Sequence, residues 1–168
     1  MQDTRPRVVL LGASNLTRGI STVVGMAGEV VGVPGDFLIA MGHGRSYGQR
    51  STVLGRSLPG ITECGLWAAL RRGSGPTFAL ITDIGNDVIY GVPVETIVHW
   101  VTECVDRLCE TGAGIVVTLP PMESLETLTP WRFGMARSLL FPGRRMSLTD
   151  ALSRSRALSA NSLIISME

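Results

Sequence analysis

Lysine is missing from this sequence: all 15 basic residues are arginine. Its absence removes Schiff-base chemistry, a Ser-Lys dyad and a phosphate-loop lysine from the possible reactions. Histidine is almost as scarce, with only His43 and His99 to act as an imidazole base. The three cysteines, Cys64, Cys104 and Cys109, are odd in number and lack metal-ligand spacing, so they read as reduced thiols that pack. No apolar run reaches the roughly 18 residues of a membrane span, although 45% of the residues are hydrophobic. Charge of one sign is not in excess either, the net charge being +1. The arginines are scattered apart from the pairs Arg71, Arg72 and Arg144, Arg145, which leaves no nucleic-acid footprint. The opening segment "MQDTRPR" has no apolar h-region, so a cytoplasmic location is expected. At 168 residues the chain fits one domain with one core.

What the sequence does contain is an alternation of strand and helix signals. Val8 to Leu11 is an apolar strand that stops at Gly12, and Thr17 to Val31 is helical, weakened by Gly25 and Gly28. Phe37 to Met41 is the second strand, introduced by a turn at Pro34 and Gly35 and followed by the glycine-rich loop "GHGRSYG". Ile61 to Arg72 is a short helix, closed by "GSGP" before the third strand, "FALIT". From Val94 to Thr111 the residues Ile97, Trp100, Val101, Cys104, Val105 and Leu108 recur at the spacing of one buried helix face. Ile115 to Leu119 is the fourth strand, and Met122 to Arg145 is irregular, with helix within Trp131 to Leu140. Ser147 to Ser159 is a further helix, and Ser162 to Ser166 is the fifth strand. Strands separated by helices imply a parallel sheet with right-handed crossovers and helices on both faces.

Open sheets of this kind place their chemistry at the carboxyl ends of the strands. The first strand delivers Ser14 there, and the third delivers Asp83, Asn86 and Asp87. A serine nucleophile needs a base and donors for the oxyanion. His99 shares the polar side of its helix with Thr102, Glu103 and Asp106 and reads as a surface residue. His43 lies in the glycine loop, with no acid adjacent in sequence to orient it, and reads as a residue that lines the site. Asp83 is expected to be an acceptor at the strand end, and Asp87 to hold its loop.

In this order the residues resemble the SGNH hydrolases, the superfamily of GDSL-type esterases and lipases. Gly12, Ala13, Ser14 and Asn15 occupy the place of its first block, with alanine for the usual aspartate; "GHGRSYG" resembles the second, and "DIGNDVIYG" the third. The resemblance spans nearly the whole chain, though each motif is short. It implies a three-layer α/β/α sandwich on a five-stranded parallel, flavodoxin-like sheet. It further implies Ser14 as nucleophile on a small-molecule ester or acyl substrate, without a cofactor. Ser14 N–H, Gly44 N–H and the Asn86 side chain would form the oxyanion hole, with Gly48 as the alternative to Gly44. His43, Asn15 and Asp87 would line the substrate. The family's last block, Asp-x-x-His, follows the fifth strand and supplies the base; the sequence stops before it. Either a carboxyl-terminal segment is lacking, or the chain is a degenerate member that keeps the pocket as a binding protein.

A nucleotide-binding domain is the third class. It is disfavoured because no G-x-G-x-x-G or G-K-[S/T] follows the first strand, and no acid ends the second strand to hold a ribose.

Overall fold

The elements of the computed structural model are, in chain order, β1 (Arg7–Leu11), α1 (Ser14–Val31), β2 (Asp36–Ala40), β3 (Ser51–Val53), β4 (Arg56–Leu58), α2 (Leu66–Leu70), β5 (Thr77–Ile81), α3 (Asn86–Ile89), α4 (Val94–Cys109), β6 (Gly114–Val117), α5 (Met122–Glu126), α6 (Pro130–Leu140) and α7 (Leu148–Ile165). The structure describes residues 5–31, 35–53, 55–71, 75–140 and 145–165, and within these the side chains other than those of 139, 140 and 162–165. Pro34, Gly73 and Ser166, expected at turns and at a strand end, lie outside the described residues.

Four strands form one parallel sheet in the order β2-β1-β5-β6. β1 is central and buried along its whole length, because residues on both its faces have something to pack against. Successive side chains of a strand point to opposite faces. Val9 and Leu11 therefore join Ile97, Val101, Cys104 and Leu108 of α4 in one core. Val8 and Leu10 meet Leu16, Ile20, Val23, Val24 and Ala27 of α1 on the other. Helices thus lie on both faces of the sheet. The apolar stripe of α4 is the one read from the sequence, and Ile97, Val101, Cys104 and Leu108 are each fully buried. Each such side chain stabilises the fold by about 1.5–3 kcal/mol.

The expected fifth strand is not there. Residues 162–165 continue α7, which runs unbroken from Leu148 to Ile165. No glycine or proline interrupts the chain between Leu148 and Ile165, so the helical hydrogen-bond ladder carries through the short apolar run instead of yielding to it. Among the described residues the parallel sheet has four strands. Two smaller differences concern the irregular segments: Ser51–Val53 and Arg56–Leu58 pair as an antiparallel hairpin, and α1 begins at Ser14 rather than Thr17.

From β1 the chain moves to β2 on one side, and later returns to β5 on the other side of β1. This reversal opens a crevice at the carboxyl ends of β1 and β5, where ligands of doubly wound sheets bind.

Candidate active site

Three loops meet at that crevice. The first is the turn from β1 into α1. Leu11 accepts a hydrogen bond from Thr82 N–H (2.9 Å) and Gly12 N–H donates to Ala40 O (3.0 Å), so the turn leaves the sheet wedged between β2 and β5. A Cβ on Gly12 would lie 2.7 Å from Thr82 Cγ2 and 2.9 Å from Leu16 Cβ. Only glycine lets the chain bend into the helix this close to β5. Ser14 then opens α1, partly exposed.

The second loop, after β5, carries the group that organises the first. Asp83 Oδ2 accepts from Ala13 N–H (2.8 Å), Asn15 N–H (3.1 Å) and Leu16 N–H (3.1 Å), and Oδ1 accepts from Asn15 Nδ2 (2.7 Å). It caps α1 from another strand, which satisfies orphan donors of the helix start and sets a negative charge against its positive end. Asp83 itself has φ 61°, a left-handed conformation that aspartate tolerates better than most side chains. One amide escapes this cap: among the described residues Ser14 N–H has no hydrogen-bond acceptor. The aspartate expected as a strand-end acceptor is thus what holds the serine turn in place.

The third loop is the glycine-rich segment after β2. Gly44, at φ 62°, points its N–H at Ser14 Oγ, 3.3 Å away. The loop is held from inside by Asp87, which is fully buried and accepts the Ser46 hydroxyl and Tyr47 N–H (2.8 Å). Tyr47 is itself fully buried, with its hydroxyl donating to Thr82 O at 2.6 Å. Tyr90 Oη–H donates to Gly44 O at 2.6 Å, fixing the Gly44–Arg45 peptide next to the one whose N–H faces the serine. Burial pushes the Asp87 carboxyl up to about 6, with the bonds from Ser46 and Tyr47 opposing the shift. Burial also raises the Tyr47 phenol well above its ordinary value.

Two of the expected roles need correction. Asp87 does not line the substrate space, because its carboxylate is enclosed by Ser46 and Tyr47; it is a loop anchor. Gly48 is no alternative to Gly44. Its N–H donates to Ser46 Oγ (3.3 Å), and a Cβ there would stand inside the Trp100 indole, so glycine at 48 serves packing.

The remaining residues lie in two cavities. One, of about 190 Å³, is lined by Asn15, Thr82, Asn86, Ile89, Leu119 and Leu125, among others. The Asn86 Nδ2 group is buried, without a hydrogen-bond partner among the described residues. The second, of about 300 Å³, is lined by Thr17, Met41, Gly42, His43, Val53, Arg56 and Leu58. Ser14 lines neither cavity. Its neighbour Asn15 borders the first and Thr17, one turn along α1, the second. His43 and His99 are both exposed, and among the described residues neither is hydrogen bonded to Ser14.

Sequence reasoning missed Tyr90 and Tyr47, whose hydroxyls serve backbone carbonyls of distant loops and leave no local signature. Among the described residues no three His, Cys, Asp or Glu side chains cluster as metal ligands would, and no helix is long and apolar enough to cross a membrane. Cys104 is buried, which pushes its thiol up to about 12. No protein-family model matches the chain, and no curated protein or solved structure shows significant similarity to it.

Proposed function

We propose that this chain is an SGNH-like serine hydrolase that cleaves esters of a small molecule at Ser14. The observation that carries this reading is a set of three donors on the loops that meet at the serine turn. Ser14 N–H lacks an acceptor among the described residues, Gly44 N–H has only the Ser14 hydroxyl oxygen as its acceptor, and Asn86 Nδ2 is buried and unpartnered. An unsatisfied buried donor costs about 1–3 kcal/mol and calls for an explanation. A developing oxyanion supplies one, since it would accept from all three.

In the proposed reaction Ser14 Oγ adds to the ester carbonyl carbon, and the negative oxygen is held by Ser14 N–H, Gly44 N–H and Asn86 Nδ2. Collapse breaks the acyl carbon–oxygen bond. The serine proton ends on the departing alcohol, and water then releases the acid from the acyl-serine. The proton carrier is not assigned to His43 or His99. Oxyanion stabilisation and binding alone still accelerate such reactions about 10³- to 10⁴-fold over water, so slow turnover is the expected behaviour.

Short-chain nitrophenyl esters, compared between the chain and Ser14→Ala, test the reading; equal rates in both would sink it. A second reading, an SGNH-fold binding protein without catalysis, is favoured by the lack, among the described residues, of a hydrogen bond from either histidine to Ser14. It predicts ligand retention, no ester turnover and no labelling of Ser14 by a fluorophosphonate probe.

A further inference from the structure

We infer that the substrate is divided between the two cavities beside Ser14, with a short uncharged acyl group on the Asn86 side and a singly charged carboxylate-bearing leaving group on the Arg56 side. The inference rests on the hydrolase reading and adds the substrate class to it.

The acyl side is set by size and by the absence of cations. The cavity of about 190 Å³ has apolar walls from Ile84, Ile89, Leu119, Leu125 and Ala151, and among the described residues neither arginine nor histidine lines it. It is the smaller of the two, the other being about 300 Å³. Asp83, the one carboxylate among the described lining residues, is already saturated by three backbone amides and the Asn15 side chain. An anionic group placed here would meet no cation and would face that carboxylate. A neutral carbonyl group is different, because it needs no cation and Asn86, whose Nδ2 is buried without a partner among the described residues, is one of the lining residues.

The leaving-group side has the opposite character. Among the described residues its ionisable side chains are His43 and Arg56, and no aspartate or glutamate lines it. Arg56, on β4, is exposed, and among the described residues its side chain makes no ion pair or hydrogen bond. A guanidinium offers paired donors that match a carboxylate. Met41, Val53 and Leu58 supply the rest of the wall. One arginine and an apolar lining match a single negative charge on an apolar body better than a doubly charged phosphate. The cavity adjoins the serine turn: Thr17 lies one turn along α1 from Ser14, and Gly42 and His43 lead into Gly44, whose N–H meets Ser14 Oγ.

Binding to the Ser14→Ala variant tests this without requiring turnover. Calorimetric titration with 4-acetoxybenzoate and with its neutral methyl ester should show the anion binding about threefold to fivefold tighter, the range of an exposed ion pair. Arg56→Gln should erase the difference, and about 0.5 M salt should shrink it. Leu125→Trp, which narrows the acyl cavity from its rim, should weaken 4-butyryloxybenzoate more than 4-acetoxybenzoate. Equal affinity for the charged and neutral esters, or a preference untouched by Arg56→Gln, overturns the inference. Loss of Ser14-dependent turnover would overturn the hydrolase reading instead, so the two failures are told apart.

Discussion

The Asp83 carboxylate receives the Asn15 side-chain amide at 2.7 Å across the gap between β5 and the start of α1. With the amides of Ala13, Asn15 and Leu16 on its other oxygen, it ties the serine turn to the loop that carries Asn86. Position 83 also sits at φ 61°, so geometry and chemistry there pull on the same residue. Asp83→Ala should remove the cap and keep the backbone strain, lowering stability by about 2–3 kcal/mol. For a domain of this size that is a fall in Tm of roughly 5–10 °C. Asp83→Asn, which tolerates the same backbone and keeps one good acceptor, should lose about half as much. Thermal unfolding by circular dichroism decides; an unchanged Tm for Asp83→Ala would show that the cap carries no weight.

The buried Asp87 carboxyl should make stability depend on pH. Its folded pKa is raised to about 6 from an ordinary 3.8. The folded chain therefore holds its proton over a range where the unfolded chain has released it. This contribution is fully present below about pH 3.8 and is lost as pH rises through about 6. Taken alone it amounts to at most about 3 kcal/mol. Asp87→Asn keeps an acceptor for Tyr47 N–H and removes the charge, so the slope of Tm against pH between about 4 and 6.5 should flatten relative to the parent chain. A slope identical in both would assign the pH dependence elsewhere.

Gly48 is constrained by shape alone. Its Cβ would enter the Trp100 ring, and overpacking of this kind costs about 1–3 kcal/mol or more. Gly48→Ala should lower Tm, whereas Gly25→Ala, where an added Cβ meets nothing within 4 Å, should raise it slightly through better helix propensity. The pair compared in one unfolding series separates steric need from backbone freedom.

Much of this arrangement was legible before the structure. Buried strands ending in Gly12, Gly42 and Asp83 marked the sheet edge, and the repeat from Ile97 to Leu108 marked α4, because burial on a face imposes its period on the residues. Ser14, Gly44 and Asn86 could be placed at that edge for the same reason. The hairpin from Ser51 to Leu58 could not be read, since two strands of three residues are too short to show alternation. The run from Ser162 to Ile165 was ambiguous: four residues rich in isoleucine fit a strand, and only the uninterrupted helix before them decides. Asp83 as cap, Tyr90 as support of Gly44 and Asp87 as anchor lay out of reach. Their bonds cross 67 to 70, 46 and 40 to 41 positions respectively, and no local pattern encodes them.

Tyr90→Phe tests whether the Gly44 peptide must be held. The lost bond from Tyr90 Oη–H to Gly44 O should cost about 1 kcal/mol of stability. With the Gly44–Arg45 peptide free to rotate, Gly44 loses its fixed φ and ψ and presents its own N–H to the serine less often, so ester turnover should fall by up to about tenfold with KM little changed. A drop in Tm without any change in kcat would make Tyr90 a purely structural residue.

Asn86 offers the sharpest test, because its two readings predict opposite signs. If Asn86 were a structural residue, Asn86→Ala would destabilise the fold, as most substitutions at supporting positions do. Its Nδ2 group is buried and without a partner among the described residues, so its removal relieves a desolvated donor rather than breaking a bond. The variant should therefore be as stable as the parent chain, or more stable by up to about 1 kcal/mol. The same change deletes a donor to the oxyanion and should lower Ser14-dependent ester turnover by about 100- to 1000-fold. Thermal unfolding and nitrophenyl-ester kinetics on one preparation read both quantities. Preserved or raised Tm with collapsed turnover is the expected outcome, and a lowered Tm with turnover intact would assign Asn86 to the fold and leave the oxyanion without its side-chain donor.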